Sequence, residues 1–83
     1  MEYIVYAIKS KIDGRIYVGF TNNITRRLKE HSNGKTISTK GYRPWMLIFE
    51  EIVATRQQAR IREKHLKSGV GKEYLKSKFK MAS

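Results

Sequence analysis

The sequence has no cysteine, few acidic residues and no long apolar run among its 83 positions. Without cysteine the chain forms neither a disulfide framework nor a thiolate zinc site, and its redox compartment is unconstrained. No segment approaches the roughly 18 apolar residues that predict a membrane-spanning helix. The N-terminus lacks the basic segment and long apolar stretch of a signal peptide. A cytoplasmic protein with no membrane partner is therefore the default expectation.

The charge of the chain is strongly one-sided. Eighteen lysine and arginine residues stand against seven aspartate and glutamate residues, which gives a formal net charge of +11. Such an excess favours a polyanionic partner, most often nucleic acid, because solubility alone needs far less charge. A solvated basic surface is the ordinary alternative, and charge by itself does not separate DNA from RNA.

Three segments have the composition of β-strands. Residues 3–9 and 16–20 are rich in β-branched and aromatic side chains. Asp13-Gly14 between them is a strong hairpin signal, so these two strands are expected to be antiparallel neighbours. Residues 34–44 are polar, basic and turn-rich, which indicates a loop. The long apolar run at 45–53 predicts the third strand, and its apolarity predicts the central, most buried position in the sheet.

The remaining segments predict three helices, so that the order of elements is β-β-α-β-α-α. The first begins at about Ile24 after an asparagine N-cap at 22–23 and ends at Asn33-Gly34. The second covers about 56–68 and begins with a capping box; the third covers about 71–80. This order predicts one domain over residues 1–83, of the α+β class, with a small three-stranded antiparallel sheet flanked by helices.

Five side chains are candidates for chemistry, and each has an ordinary explanation: Tyr6, Tyr17, Arg27, His31 and Glu63. A tyrosine in a strand is usually a half-buried packing residue. An arginine and a histidine four positions apart share a helix face and are usually solvated. The glutamate can form an ion pair with the lysine four residues later on its own helix. Taken singly, these residues support only a small basic domain that binds nucleic acid.

Taken together and in order, the five residues resemble the GIY-YIG nuclease domain. The first half of that signature stands here as Ile-Val-Tyr at 4–6, and the second half as Tyr-Val-Gly at 17–19. Arg27 with His31 matches the family's helix motif, and Glu63 matches its acidic residue on a later helix. The resemblance extends over about residues 3–78. Its specificity comes from the ordered set, because short aromatic triplets are common.

The resemblance implies a three-stranded sheet flanked by helices and cleavage of DNA phosphodiester bonds with one divalent cation, Mg²⁺ or Mn²⁺, and no small-molecule cofactor. Glu63 would hold the cation, and Arg27 would neutralise charge on the phosphate. Tyr17 would be the general base or would position the attacking water. Tyr6 would support it by hydrogen bonding, and His31 would contact phosphate or shuttle a proton.

The residues around this motif extend the expectations. Gly19 is expected to leave room for the close approach of a backbone or a phosphate. Contacts to backbone phosphates are expected from four cations: Lys35, Lys40, Arg43 and Lys67. Three features depart from the family: the first triplet is Ile-Val-Tyr instead of Gly-Ile-Tyr, Phe20 stands where some repair members carry lysine, and no asparagine follows Asn33.

Two functions remain open on the sequence. The first is an active metal-dependent DNA endonuclease, linked to repair or recombination. With no appended recognition domain in 83 residues, it would be weakly specific or would read structures such as flaps, nicks or branches. The second is a non-catalytic nucleic-acid-binding module on the same fold.

Overall fold

The structure, a computed structural model, describes residues 2–79, the last two by their backbone alone. It confirms the α+β class and the three-stranded antiparallel sheet. The elements in chain order are β1 (Tyr3–Ser10), β2 (Ile16–Thr21), α1 (Ile24–Ser32), α2 (Ile37–Lys40), β3 (Trp45–Val53), α3 (Arg56–Lys67) and α4 (Gly69–Phe79).

Local capping signals place the long helices where the sequence predicts them. The Asn23 side chain accepts a hydrogen bond from the Arg26 amide at 3.0 Å, so α1 begins at Ile24. Thr55 accepts from the Gln58 amide at 3.1 Å and begins α3. The predicted third helix begins two residues earlier than expected, at Gly69, and the expected end at residue 80 lies outside the described residues.

The sheet order is β2-β1-β3, so the expectation that the third strand is central is wrong. The first strand is central and pairs antiparallel with both neighbours. Four successive β1 side chains, at 5–8, are 0% exposed, whereas Met46 and Ile52 on β3 are 40% and 65% exposed. The prediction from apolar composition failed for β3, because a run of apolar residues does not reveal how many neighbouring strands and helices cover it. A register irregularity between Ala7 and Ile8 also interrupts the β1–β3 pairing.

The two faces of the sheet are covered by different helices. Successive side chains of a strand point to opposite faces. Val5 and Ala7 lie in a core cluster with residues of both C-terminal helices, among them Leu66 of α3 and Leu75 of α4. Tyr6, between them in sequence, instead contacts His31 of α1. The sheet therefore separates an aliphatic core from a polar, aromatic layer under α1.

The expected loop at 34–44 contains a turn of helix, α2, which corrects the sequence interpretation. Thr39 in this turn is 0% exposed, and its carbonyl accepts a hydrogen bond from the Trp45 indole nitrogen at 2.8 Å. A single helical turn is not stable through propensity alone. Its formation here depends on such tertiary contacts, which the polar, basic composition does not reveal.

None of the helices described for residues 2–79 has the length and hydropathy needed to cross a membrane.

Gly71 lies where α4 packs against α3, and we predict that Gly71→Ala destabilises the protein. A Cβ at this position would collide with backbone atoms of His65 and Leu66, which cannot move aside without shifting the helix. We expect the free energy of unfolding to fall by about 3 kcal/mol, at the upper end of overpacking effects. Chemical denaturation followed by circular dichroism measures it.

The matched control is Gly69→Ala, two residues earlier in the same helix. A Cβ there meets no atom within 4 Å. Because alanine is the better helix former, this change should leave stability equal or slightly higher. Equal stability of the two variants would contradict the close approach of α3 and α4 at Gly71.

Candidate active site

Four of the five candidate residues come together on the α1 face of the sheet. The His31 ring lies 5.1 Å from the Tyr17 ring and 5.8 Å from the Tyr6 ring, centroid to centroid, both edge-on. The two tyrosine rings are 6.5 Å apart. Tyr17 is half-buried, and Arg27 lies one helical turn before His31 with its side chain 30% exposed. The cluster therefore has a buried part and an accessible part.

The buried part is a chain of hydrogen bonds from β1 through α1 to α2. Tyr6 Oη and His31 Nε2 are 2.8 Å apart, and His31 Nδ1 and Thr39 Oγ1 are 2.9 Å apart. All three side chains are at most 1% exposed. The resemblance gives Tyr6 a hydrogen-bonding role toward Tyr17, whereas the structure directs its hydroxyl to His31. Sequence reasoning missed Thr39 because the turn that carries it was interpreted as a loop.

Gly19 makes room for the Tyr6 side chain. The two residues are directly opposed across the β1–β2 pair. A Cβ on Gly19 would lie 2.9 Å from the Tyr6 hydroxyl oxygen and 3.3 Å from the Tyr17 ring. The structure therefore gives a reason for this glycine that the sequence did not suggest: a larger residue would displace the tyrosine that contacts His31.

Arg27 is held in place by Glu30, which sequence reasoning also missed. Its Nη1 donates to Glu30 Oε1 at 2.9 Å. This hydrogen bond is the main cause that raises the pKa of Arg27 and lowers the pKa of Glu30. The i, i+3 spacing on a helix was the available signal. The guanidinium thus stays charged and oriented, with part of its surface open to solvent.

Burial fixes the protonation of the two inner residues. Desolvation raises the pKa of Tyr6 to about 12, opposed by the nearby Arg27, so this phenol keeps its proton at neutral pH and is unsuited to be a base. Burial and the positive charge of Arg27 lower the pKa of His31, so its imidazole is neutral. At 1% exposure His31 offers almost no surface to a phosphate, which disfavours the first of its two expected roles.

Glu63 forms its ion pair within its own helix, α3. Its carboxylate forms an ion pair with Lys67 at 3.2 Å, and its side chain is 21% exposed. Within residues 2–79, no hydrogen bond or ion pair links it to the tyrosines, Arg27 or His31. The same part of the chain contains no group of three or more metal-ligating side chains. A single accessible carboxylate fits a hard cation that takes most of its ligands from water and substrate.

The four basic side chains that are predicted to bind phosphate differ in whether they form hydrogen bonds or ion pairs within the protein. Lys35 and Lys40 are exposed. Arg43 donates from Nε to the Lys40 carbonyl at 2.9 Å and from Nη1 to the Ser32 carbonyl at 3.4 Å. Lys40 and Arg43 line a cavity of about 420 Å³. Lys67 is engaged with the carboxylate described above, so it carries less uncompensated charge than the lysines of the 34–44 segment.

Comparison with known proteins identifies the family. Residues 2–78 match the GIY-YIG catalytic domain. The chain belongs to the GIY-YIG nuclease family. This confirms the resemblance that the ordered set of tyrosines, arginine, histidine and glutamate indicates.

Small proteins of this GIY-YIG family are similar over most of their length. A UPF0213 protein of Staphylococcus haemolyticus is 33% identical over 76 residues, which cover 90% of this chain and 92% of that protein. The solution NMR structure of a UPF0213 protein from Bacillus halodurans has a TM-score of 0.57 and 34% identity, over 93% of this chain and 84% of that one. The fold is thus shared with a solved relative.

A human protein with a more specific name is also similar. The structure-specific endonuclease subunit SLX1 of Homo sapiens is 36% identical over 51 residues. The match covers 57% of this chain and 18% of the human protein.

The neutral, buried His31 makes the stability of this GIY-YIG protein depend on pH. Its pKa is lower in the folded state than the ordinary 6.5, so the unfolded state binds more protons below that value. The contribution of neutral His31 to the free energy of unfolding is fully present above about pH 6.5. It is lost as the pH falls toward the folded-state pKa of His31. The free energy of unfolding should therefore be lower at about pH 5.5 than at about pH 7.5.

The matched comparison uses the two histidines. His31→Gln should remove this part of the pH dependence, whereas His65→Gln, which changes an exposed residue of α3, should retain it. Denaturation curves measured across the pH range give the slopes. An unchanged slope in His31→Gln would show that His31 titrates alike in the folded and unfolded states.

Proposed function

We propose that this protein is a metal-dependent DNA endonuclease that hydrolyses phosphodiester bonds and selects DNA structure, in repair or recombination. The observation that carries the proposal is the layered cluster on the α1 face. Tyr17 and Arg27 are accessible at its surface, and the buried Tyr6–His31 pair supports them from below. Structure selectivity is supported by the similarity to the human subunit whose name states that property.

The two accessible residues have the chemistry that phosphodiester hydrolysis requires. The Tyr17 ring packs edge-on against the His31 ring, and its hydroxyl would orient or deprotonate the attacking water. Arg27 presents a charged guanidinium whose planar array of donors matches the oxygens of a phosphate. Glu30 already holds that guanidinium by one nitrogen, so the loss of side-chain entropy on binding is smaller. The buried Tyr6 and His31 would position these groups without touching DNA.

Glu63 would hold one Mg²⁺ or Mn²⁺. When bound, such a cation supplies positive charge at the phosphate and a more acidic water. Glu63 would have to exchange its ion pair with Lys67 for the cation. Such partly exposed pairs contribute little to stability, so the exchange is inexpensive.

DNA as the partner is supported by the net charge of +11. The exposed Lys35 and Lys40 would contact backbone phosphates beside the cluster. Arg43 would add a contact while keeping its bond to a backbone carbonyl, and Lys67 would become available to phosphate when Glu63 takes the cation. These contacts are electrostatic and independent of sequence, which fits an enzyme that reads DNA structure.

A non-catalytic nucleic-acid-binding module is the second candidate, and one observation favours it. The carboxylate of Glu63 is engaged in an ion pair with Lys67 at 3.2 Å, whereas a metal ligand must offer its carboxylate to the cation. In that case the basic surface would serve for binding, and the tyrosines would be packing residues. The two predictions below separate the candidates.

Tyr17→Phe is expected to slow cleavage by roughly 10²- to 10⁴-fold, the usual contribution of a positioned acid or base. Because only a half-buried hydroxyl is removed, the free energy of unfolding should change by no more than about 1 kcal/mol. DNA affinity should persist. Single-turnover cleavage, fluorescence anisotropy and thermal unfolding measure the three quantities.

Tyr3→Phe is the matched control, since Tyr3 is a strand tyrosine that packs edge-on against Phe20 away from the cluster. It should cleave at the wild-type rate. Cleavage by Tyr17→Phe at that same rate would make Tyr17 structural and would remove it from the mechanism.

Glu63→Gln is expected to abolish cleavage and keep DNA binding. The assay compares branched, nicked and linear DNA with Mg²⁺ or Mn²⁺. Binding should tighten slightly, because a negative charge near phosphate has been removed. Glu73→Gln, which changes an exposed glutamate of α4, should cleave normally. Retained activity in Glu63→Gln would exclude Glu63 as the metal ligand. If the wild type binds DNA but does not cleave it, the non-catalytic binding module is favoured.

A further inference from the structure

Thr39 is a fully buried polar residue to which the proposed chemistry gives no role. It is 0% exposed and lies in the short helix α2, outside the GIY-YIG motif. Its hydroxyl is 2.9 Å from His31 Nδ1 and donates to the carbonyl of Thr36 at 3.3 Å. A hydroxyl has a single proton to donate. While Thr39 gives that proton to the backbone, it accepts from the imidazole; donating to Nδ1 instead would leave the Thr36 carbonyl without this bond.

This acceptor role determines which nitrogen of His31 carries the proton. A neutral imidazole has one N–H donor and one acceptor nitrogen. If Nδ1–H donates to Thr39, Nε2 is the acceptor and must receive the Tyr6 hydroxyl proton across the 2.8 Å contact. The chain of donors then runs in one direction, from Tyr6 through His31 and Thr39 to the carbonyl of Thr36, the residue before α2.

The opposite tautomer would leave a buried proton without an acceptor. The positively charged Arg27 lies near enough to lower the pKa of Tyr6, and its guanidinium can only donate. If His31 Nε2–H donated to the Tyr6 oxygen, the buried Tyr6 hydroxyl would have only donors beside it. Its own proton would then have no acceptor. Leaving a buried polar group unpaired costs about 1–3 kcal/mol, and the described residues contain no buried side-chain nitrogen or oxygen without a partner.

We propose that Thr39 is a positioning residue of this active site, because it fixes His31 as the Nδ1–H tautomer and thereby aims the Tyr6 hydroxyl. Thr39 contacts neither tyrosine, and it acts through His31, whose ring packs edge-on against both Tyr6 and Tyr17. The tautomer does not depend on any substrate, whereas its effect on rate rests on the proposed endonuclease function.

The tautomer is measured directly by ¹⁵N NMR of the imidazole ring in the full chain at neutral pH. In the wild type, His31 Nδ1 should resonate as a protonated, pyrrole-like nitrogen and Nε2 as an unprotonated, pyridine-like one. Thr39→Ser retains the hydroxyl and should give the same pattern. Thr39→Val retains the shape and removes the acceptor, so the Nε2–H form should become populated. Ser38→Ala, which removes the neighbouring exposed hydroxyl, should change nothing.

Activity supplies the second measurement. Thr39→Val should lower the single-turnover cleavage rate about tenfold with DNA affinity unchanged, and Thr39→Ser should restore the rate. A wild-type His31 in the Nε2–H form would overturn the proposal, and so would a Thr39→Val protein that keeps both the wild-type tautomer and rate. If the wild type cleaves no DNA while the tautomer pattern is as expected, the endonuclease proposal fails and the assignment of the tautomer stands.

Discussion

The hydrogen bond between Tyr6 and His31 is the interaction on which the arrangement of the site depends. It is 2.8 Å long, joins the central strand to α1, and is inaccessible to water at both ends. Within a protein such a bond is modest in net energy, but leaving either group unpaired is costly. The bond therefore restricts the position of α1 over the sheet more than nonspecific packing would. Gly19 is part of the same constraint, because a side chain there would occupy the space of the Tyr6 hydroxyl.

Local signals in the sequence were sufficient for most of the fold. Asp13-Gly14 forms the predicted turn with Gly14 at a φ of 79°, and the asparagine and threonine caps begin α1 and α3 as expected. Such features are determined by a few adjacent residues. Sheet order is not, because β1 is central only through its contacts with two partners distant in sequence. The helical turn α2 likewise depends on contacts such as that from Trp45 to Thr39.

The same distinction applies to the site. Tyr6, Tyr17, Arg27 and His31 were found because their order matches a family, and the structure places them together. Thr39 and Glu30 were missed for different reasons. The spacing from Arg27 to Glu30 was visible but is also common on solvated helix surfaces. For Thr39, nothing in a polar segment indicated that one hydroxyl would be buried against a histidine from another helix.

The electrostatics of the site differ from those of the molecule around it. The chain carries a net charge of +11, yet the inner layer is neutral, with a protonated Tyr6 and an uncharged His31. At its surface the Arg27 charge is balanced by Glu30. For the proposed DNA substrate, attraction would therefore come from exposed lysines spread over the molecule, and it would weaken as salt increases. The phosphate at the cluster would share Arg27 with Glu30, so its recognition depends on the orientation of one guanidinium. In the proposed enzyme, affinity would thus be distributed over the surface, whereas catalytic alignment would depend on a few buried hydrogen bonds.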